Sequence, residues 1–91
     1  MAWQIEYTST AVKQLSKLDK PAAKRLLDFM DERIAVAEDP REVGKALVGA
    51  KLGSYWRYRV GDYRLICDIQ DNVLRVVVVQ VGNRSEVYVS H

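Results

Sequence analysis

Cysteine and histidine are nearly missing from this sequence, with one residue of each among 91, Cys67 and His91. A single cysteine cannot form an internal disulfide and has no companion for a metal-binding motif, so neither a disulfide scaffold nor a metal site is predicted. A Ser-His-Asp set and a glycine-rich phosphate loop are missing too, which argues against those types of enzyme. No apolar run approaches the roughly 18 residues of a membrane helix, and the opening MAWQIEYTST does not resemble a signal peptide. We therefore expect a cytoplasmic protein without a cofactor.

The sequence does contain an ordinary globular composition with a local excess of positive charge. Hydrophobic residues make up 48% and charged residues 29%, and 91 residues suffice for one domain, predicted to span 1–91. Residues 1–50 contain eight basic and eight acidic side chains, whereas the stretch from Lys51 to Arg64 contains four basic and only one acidic, Asp62. This patch predicts a local site for a polyanion.

The first half predicts a strand followed by two helices. Trp3 to Tyr7 alternates apolar and polar residues, as a strand does. Thr8, Ser9 and Thr10 can cap a first helix, in which Val12, Leu15 and Leu18 recur at helical spacing. Pro21 suits the start of a longer second helix. The predicted apolar face of that helix consists of Ala23, Leu26, Leu27, Met30, Ile34 and Ala37.

The second half predicts three strands after a connector. Residues 41–53 have loop or short-helix character, and the strands are YWRYRV, YRLICDI and VLRVVVVQV. Gly61-Asp62 and Asp71-Asn72 are each predicted to form a two-residue hairpin turn. The fold class is therefore α+β in the order β-α-α-β-β-β, with a helical hairpin packed on one face of a mainly antiparallel four-stranded sheet.

A two-residue turn at Gly61-Asp62 fixes which residues face each other. Arg59 is then directly opposite Arg64, and strand alternation places Arg57 on the same face as both, away from the helices. The second turn would place Asp68 opposite Arg75, an ordinary cross-strand ion pair. The residues predicted to face the helices are Trp56, Tyr58, Val60, Leu65, Cys67, Leu74, Val76 and Val78.

The opposition of Arg59 and Arg64 indicates a missing anion. Like charges directly opposite each other in a sheet destabilise it by roughly 0.2–1 kcal/mol. Arginine forks match phosphate oxygens, so phosphate binding is favoured over a merely solvated face. The tail VGNRSEVY adds Arg84 and Tyr88, and an aromatic residue beside such a face can stack on an unpaired RNA base, although C-terminal packing is the commoner role for a tyrosine.

The element order, the hairpin WRYRVGDYRL and the tail VGNRSEVY resemble the RelE toxins of bacterial toxin–antitoxin modules, within the RelE/ParE superfamily. The resemblance covers essentially the whole chain and is strongest from Leu47 to Tyr88. It implies a metal-independent endoribonuclease that cuts mRNA in the ribosomal A site, through attack of the 2′-hydroxyl on the adjacent phosphate. It also implies a RelB-like antitoxin as partner, while binding of that complex to operator DNA stays open.

The same resemblance implies site residues. Arg57 and Arg59 fall at two basic positions that are often lysines, Arg64 matches the YRL motif, and Arg84 and Tyr88 match the tail. A lysine can act as a base, whereas an arginine almost never loses its proton.

The proton acceptor is therefore open. Lys51, Glu86 and His91 are candidates, and purely electrostatic catalysis aided by ribosomal RNA is the favoured interpretation. Two other functions also remain: a ParE-like toxin that inhibits DNA gyrase without cutting RNA, and a non-catalytic nucleic-acid-binding domain.

Overall fold

A computed structural model describes residues 2–47 and 55–83. Within these ranges, two α-helices pack on one face of a five-stranded mixed sheet. The elements are β1 (Gln4–Tyr7), α1 (Ser9–Ser16), α2 (Lys20–Phe29) with a π-helical extension (Met30–Ile34), a 3-10 helix (Pro40–Glu42), β2 (Lys45–Ala46), β3 (Tyr55–Val60), β4 (Tyr63–Gln70), a 3-10 turn (Asp71–Val73) and β5 (Arg75–Asn83). None of the described helices is long and apolar enough to span a membrane.

The sheet has the order β1-β5-β4-β3-β2, with β1 parallel to β5 and all other neighbours antiparallel. The predicted α+β class and helical hairpin are confirmed, but the strand count is five rather than four. The additional strand, β2, lies in the connector that was expected to be a loop or short helix. The 3-10 helix overlaps the start of that connector, and residues 48–53 of the connector lie outside the described residues.

The helices begin where the sequence provides suitable residues. The Thr8 hydroxyl accepts a hydrogen bond from the Ala11 amide at 3.1 Å, which caps α1, and Pro21 lies in the first turn of α2. Val12, which recurs with Leu15 and Leu18 at helical spacing, is 53% exposed. Ala11 and Leu15, four residues apart, form the buried side of α1 instead.

The core fills the space between the helices and the sheet. It includes Leu26, Met30 and Ile34 of the second helical segment. Leu27, predicted on the apolar face, is instead 38% exposed. From the sheet and its flanks it includes Trp3, Tyr58, Val60, Leu65, Cys67, Ile69, Val76, Val78 and Val81. Burial raises the pKa of the Cys67 thiol, and the predicted helix-facing position of this residue is confirmed.

The connection between β4 and β5 differs from the prediction. Instead of a two-residue turn, a 3-10 turn leads into Leu74, whose backbone is left-handed (φ 50°) and whose side chain is exposed rather than in the core. The longer turn pairs Gln70 with Arg75 and Asp68 with Val77. The predicted Asp68–Arg75 pair is therefore wrong.

A β-bulge lies in the middle of β5. Ile66 pairs with Gln80 but Cys67 pairs with Val78, which leaves Val79 as the extra residue. Two side chains, at the start of α1 and within it, stabilise the bulge. The Thr8 hydroxyl donates a hydrogen bond to the Val79 carbonyl at 3.3 Å. The Gln14 side-chain oxygen accepts a hydrogen bond from the Val81 amide at 2.6 Å. Because the bulge switches alternation, Gln80 and Gly82 lie on the sheet face away from the helices.

Candidate nucleic-acid interface

The β3–β4 hairpin has the predicted turn and register. Gly61 has a positive φ of 61° in the first central position of the turn, where type II′ turns favour glycine. Val60 pairs with Tyr63 and Arg59 with Arg64, and the pairing continues in step along the hairpin to Tyr55 and Asp68. The opposition of two arginines next to the hairpin turn is therefore confirmed.

Four cations of β2 and the β3–β4 hairpin lie on the sheet face away from the helices. Arg57, Arg59 and Arg64 lie there by strand alternation, since their neighbours Tyr58 and Leu65 are in the core. Short strand β2 adds Lys45 directly opposite Arg57. We call this surface the basic face, defined by Lys45, Arg57, Arg59 and Arg64.

The three arginines differ in how far they are removed from water. Arg59 is exposed, Arg57 is half-buried and Arg64 is only 8% exposed. Because an arginine guanidinium keeps its proton in proteins, a buried one presents a fixed positive charge with little competing water. Such a charge stabilises a negative charge that develops next to it more strongly than an exposed cation does.

The rest of the same sheet face is balanced in charge. Arg75 on β5 forms an ion pair with Glu6 of β1 at 3.4 Å and donates a hydrogen bond to the Gln70 side chain at 3.2 Å. Gln70 in turn donates to Asp68 at 3.0 Å. The basic face thus lies nearer the hairpin turn, apart from this network of Arg75, Glu6, Gln70 and Asp68.

A further arginine, Arg41, packs the segment before β2 against the sheet. Arg41 binds the carboxylates of Asp39 and Asp71, and its guanidinium lies 5.8 Å from the centre of the Trp56 ring. The hydrogen bond from Arg41 is the main cause that lowers the pKa of Asp71. Arg41 is therefore neutralised, and it positions the chain that leads into β2 and Lys45.

Comparison with known proteins identifies the family. A family model described as the ParE toxin of the type II toxin–antitoxin system, parDE, matches residues 5–88. The chain belongs to this toxin family. The toxin is also 30% identical over 88 residues to Toxin RelG of Mycobacterium tuberculosis, an alignment that covers 97% of this chain and 98% of the relative.

Solved structures agree with this assignment. The toxin matches a chain of the toxin–antitoxin complex RelBE2 from Mycobacterium tuberculosis with a TM-score of 0.84 and 28% identity, covering 94% of this chain and 95% of the other. It matches a chain of the archaeal RelE–RelB complex from Pyrococcus horikoshii with a TM-score of 0.74 and 27% identity, covering 94% and 99%. It matches a chain of the intact E. coli RelBE toxin–antitoxin complex with a TM-score of 0.71 and 26% identity. That match covers 90% of this chain and 96% of the other. The predicted membership of the RelE/ParE superfamily is confirmed.

The structure brings together three of the five predicted site residues of the toxin. Arg57, Arg59 and Arg64 share the basic face, whereas Arg84 and Tyr88 lie outside the described residues, as do the candidate proton acceptors Lys51, Glu86 and His91. Sequence reasoning missed Lys45, because a strand of two residues leaves no alternating pattern to detect. The role of each site residue stays a prediction.

Proposed function

We propose that this toxin is a metal-independent endoribonuclease that cuts mRNA in the ribosomal A site. The observation that carries the proposal is the arrangement of the basic face, where Arg59 is directly opposite Arg64 and Arg57 is directly opposite Lys45. Four cations on one sheet face, in two directly opposed pairs, give a surface that attracts an anion. A phosphate chain is the anion that arginine forks match best.

The proposed reaction is an in-line transesterification. The 2′-oxygen forms a bond to the adjacent phosphorus, the bond from phosphorus to the 5′-oxygen breaks, and the products are a 2′,3′-cyclic phosphate and a 5′-hydroxyl. Arg64, the most buried cation of the basic face, stabilises the extra negative charge of the phosphorane. Arg57 and Arg59 hold the phosphate chain in line.

Two residues of the tail and the ribosome complete the proposal. Arg84 assists the departing 5′-oxygen, which gains a proton, and Tyr88 stacks on a base and orients it. The arginines cannot accept the proton that the 2′-hydroxyl loses. That proton passes to water, and the departing 5′-oxygen takes one from water. Ribosomal RNA orients the 2′-hydroxyl for attack, which makes cleavage depend on the ribosome.

The proposed natural inhibitor is a RelB-like antitoxin. The solved relatives named above are complexes of toxin and antitoxin. A basic face that selects phosphate also attracts an acidic peptide, so an extended acidic segment of the antitoxin would cover it and exclude mRNA.

Single-turnover cleavage of an mRNA placed in the A site of preformed ribosome complexes tests this proposal. Primer extension should map a cut in the A-site codon, and the same mRNA without ribosomes should remain almost intact. We expect Arg64→Gln to lower the rate by about 10²–10³. Arg75→Gln is the matched control, because Arg75 lies at the charge-balanced end of the same face, and it should keep the parental rate. Equal cleavage of free and ribosome-bound mRNA would refute the ribosome dependence.

A second function is favoured by one observation, since the matching family model is that of the ParE toxin. A ParE-like toxin would inhibit DNA gyrase and leave RNA intact. A gyrase supercoiling assay run beside the cleavage assay separates the two. Inhibition of supercoiling together with uncut A-site mRNA would establish this second function and refute the first.

A further inference from the structure

An arginine from the helical layer reaches the tip of the β3–β4 hairpin. The guanidinium of Arg25, on α2, lies against Gly61, so closely that a β-carbon at Gly61 would be 3.0 Å from Nη1, 3.1 Å from Nη2 and 3.2 Å from Cζ. Gly61 also has the positive φ that favours glycine. The turn therefore leaves space for this guanidinium as well as reversing the chain.

Arg25 forms no ion pair with the part of the chain that the structure describes. Across residues 2–47 and 55–83, no acidic side chain bonds to it, and Asp62 in the adjacent turn does not contact it within ion-pair distance. Its sequence neighbour Lys24 behaves differently, because Lys24 binds the Asp28 carboxylate at 2.6 Å. Of these two neighbours on α2, Lys24 is neutralised, whereas Arg25 is an exposed cation that lies against the turn.

The position of Arg25 extends the positive surface around the hairpin tip. Gly61 is two residues after Arg59, which is exposed and likewise has no acidic partner in the described part of the chain. Arg59 lies on the basic face and Arg25 approaches the same tip from the helix layer. A nucleic-acid backbone that crosses the tip would meet both guanidinium groups.

We propose that Arg25 binds the phosphate backbone of ribosomal RNA at the hairpin tip, next to the mRNA phosphate chain that Arg59 holds, and that Arg25 serves binding rather than the chemical step. This inference rests on the proposed function. Arg25 approaches from the opposite layer to Arg64, so it does not reach a phosphate that lies over the centre of the basic face. Folded RNA can contact both sides of the tip, whereas a single extended mRNA strand on the sheet contacts only one.

Ribosome binding of the Arg25→Gln toxin, measured across a series of salt concentrations, tests the inference. The ribosomes carry an mRNA with a 2′-deoxy sugar at the cleavage site, so that binding is observed without reaction. We expect the affinity at low salt to fall several-fold and the slope of log affinity against log salt to become shallower by about 0.7–0.9, the loss of one phosphate contact. With cleavable mRNA and saturating toxin, the single-turnover rate should stay at the parental value.

Two control variants complete the experiment. Lys24→Gln removes a neighbouring positive charge that is already neutralised, and it should leave both affinity and slope unchanged. Arg25→Lys keeps the charge and should restore the slope.

Three results would overturn the inference. These are an Arg25→Gln toxin with parental affinity and slope, one with a lower rate at saturation, or one with weakened binding to the antitoxin and normal binding to ribosomes. Failure of the parent toxin to bind ribosomes at all would refute the proposed function itself, and this inference with it.

Discussion

Replacement of Arg59 by glutamine should stabilise the toxin while it impairs function. Arg59 is exposed, is directly opposite Arg64, and is bonded to no acid among residues 2–47 and 55–83. Removing one of two opposed like charges should raise the free energy of unfolding by roughly 0.2–1 kcal/mol. With a denaturant slope of about 2 kcal/mol per molar urea, the unfolding midpoint rises by about 0.1–0.5 M.

The salt dependence of this gain distinguishes charge repulsion from other causes. The screening length is about 30 Å at 0.01 M and about 3 Å at 1 M salt, so the gain should be largest at low salt and nearly vanish at high salt. Arg59→Lys keeps the charge and should show no gain. The single-turnover rate of mRNA cleavage in Arg59→Gln should fall at least tenfold, because one phosphate-holding group is lost.

Two outcomes would refute the reasoning about Arg59. A lower urea midpoint at low salt would mean that Arg59 stabilises the sheet, and an unchanged cleavage rate would remove it from the site. Arg64 is a poorer choice for this experiment. Because it is only 8% exposed, its replacement also removes a packed side chain and mixes two effects on stability.

Three further predictions concern the support of the site. Tyr58→Phe should lower the free energy of unfolding by about 1–2 kcal/mol, as measured by urea denaturation. The buried Tyr58 hydroxyl donates a hydrogen bond to the Pro40 carbonyl at 2.9 Å, and its loss leaves that oxygen unsatisfied. The pKa of Asp71 is lowered in the folded state by Arg41, so its stabilising contribution is present above the unfolded pKa of about 3.9 and is lost as the pH falls through the lowered value. The stability difference between the parent and Asp71→Asn should therefore shrink on acidification, and a difference that persists in strong acid would contradict the ion pair. Cys67 is fully buried, and burial raises the pKa of its thiol. A thiol reagent should therefore react with it no faster than the toxin unfolds. Rapid labelling of the native toxin would contradict this burial.

The β3–β4 hairpin could be predicted from the sequence because two local signals agree there. Gly61-Asp62 defines a two-residue turn, and strict alternation in YWRYRV and YRLICDI then assigns each residue to a face. The basic face follows from these signals, apart from Lys45. The short strand that carries Lys45 depends on the packing of Arg41 and Pro40 against the sheet, which no local pattern reports.

Strand β5 was harder to predict because its sequence does not alternate. Four consecutive valines, 76–79, fit either face, so nothing in them indicates the bulge at Val79. The predicted turn at Asp71-Asn72 was two residues too short, yet a shift of two residues preserves the face of each side chain. Val76 and Val78 therefore lie in the core as expected, while the predicted partner of Arg75 was wrong.

The parallel pairing of β1 with β5 has a consequence for how the toxin is made. β1 leaves the ribosome early, but its partner is synthesised about 70 residues later, roughly 4–14 s at ordinary elongation rates. Until then β1 has no neighbour in the sheet, and the bulge that places Gln80 and Gly82 beside the arginines does not exist. We therefore expect the nascent chain to be inactive for most of its own translation. A truncated product that stops before residue 75 should fail to fold and be degraded.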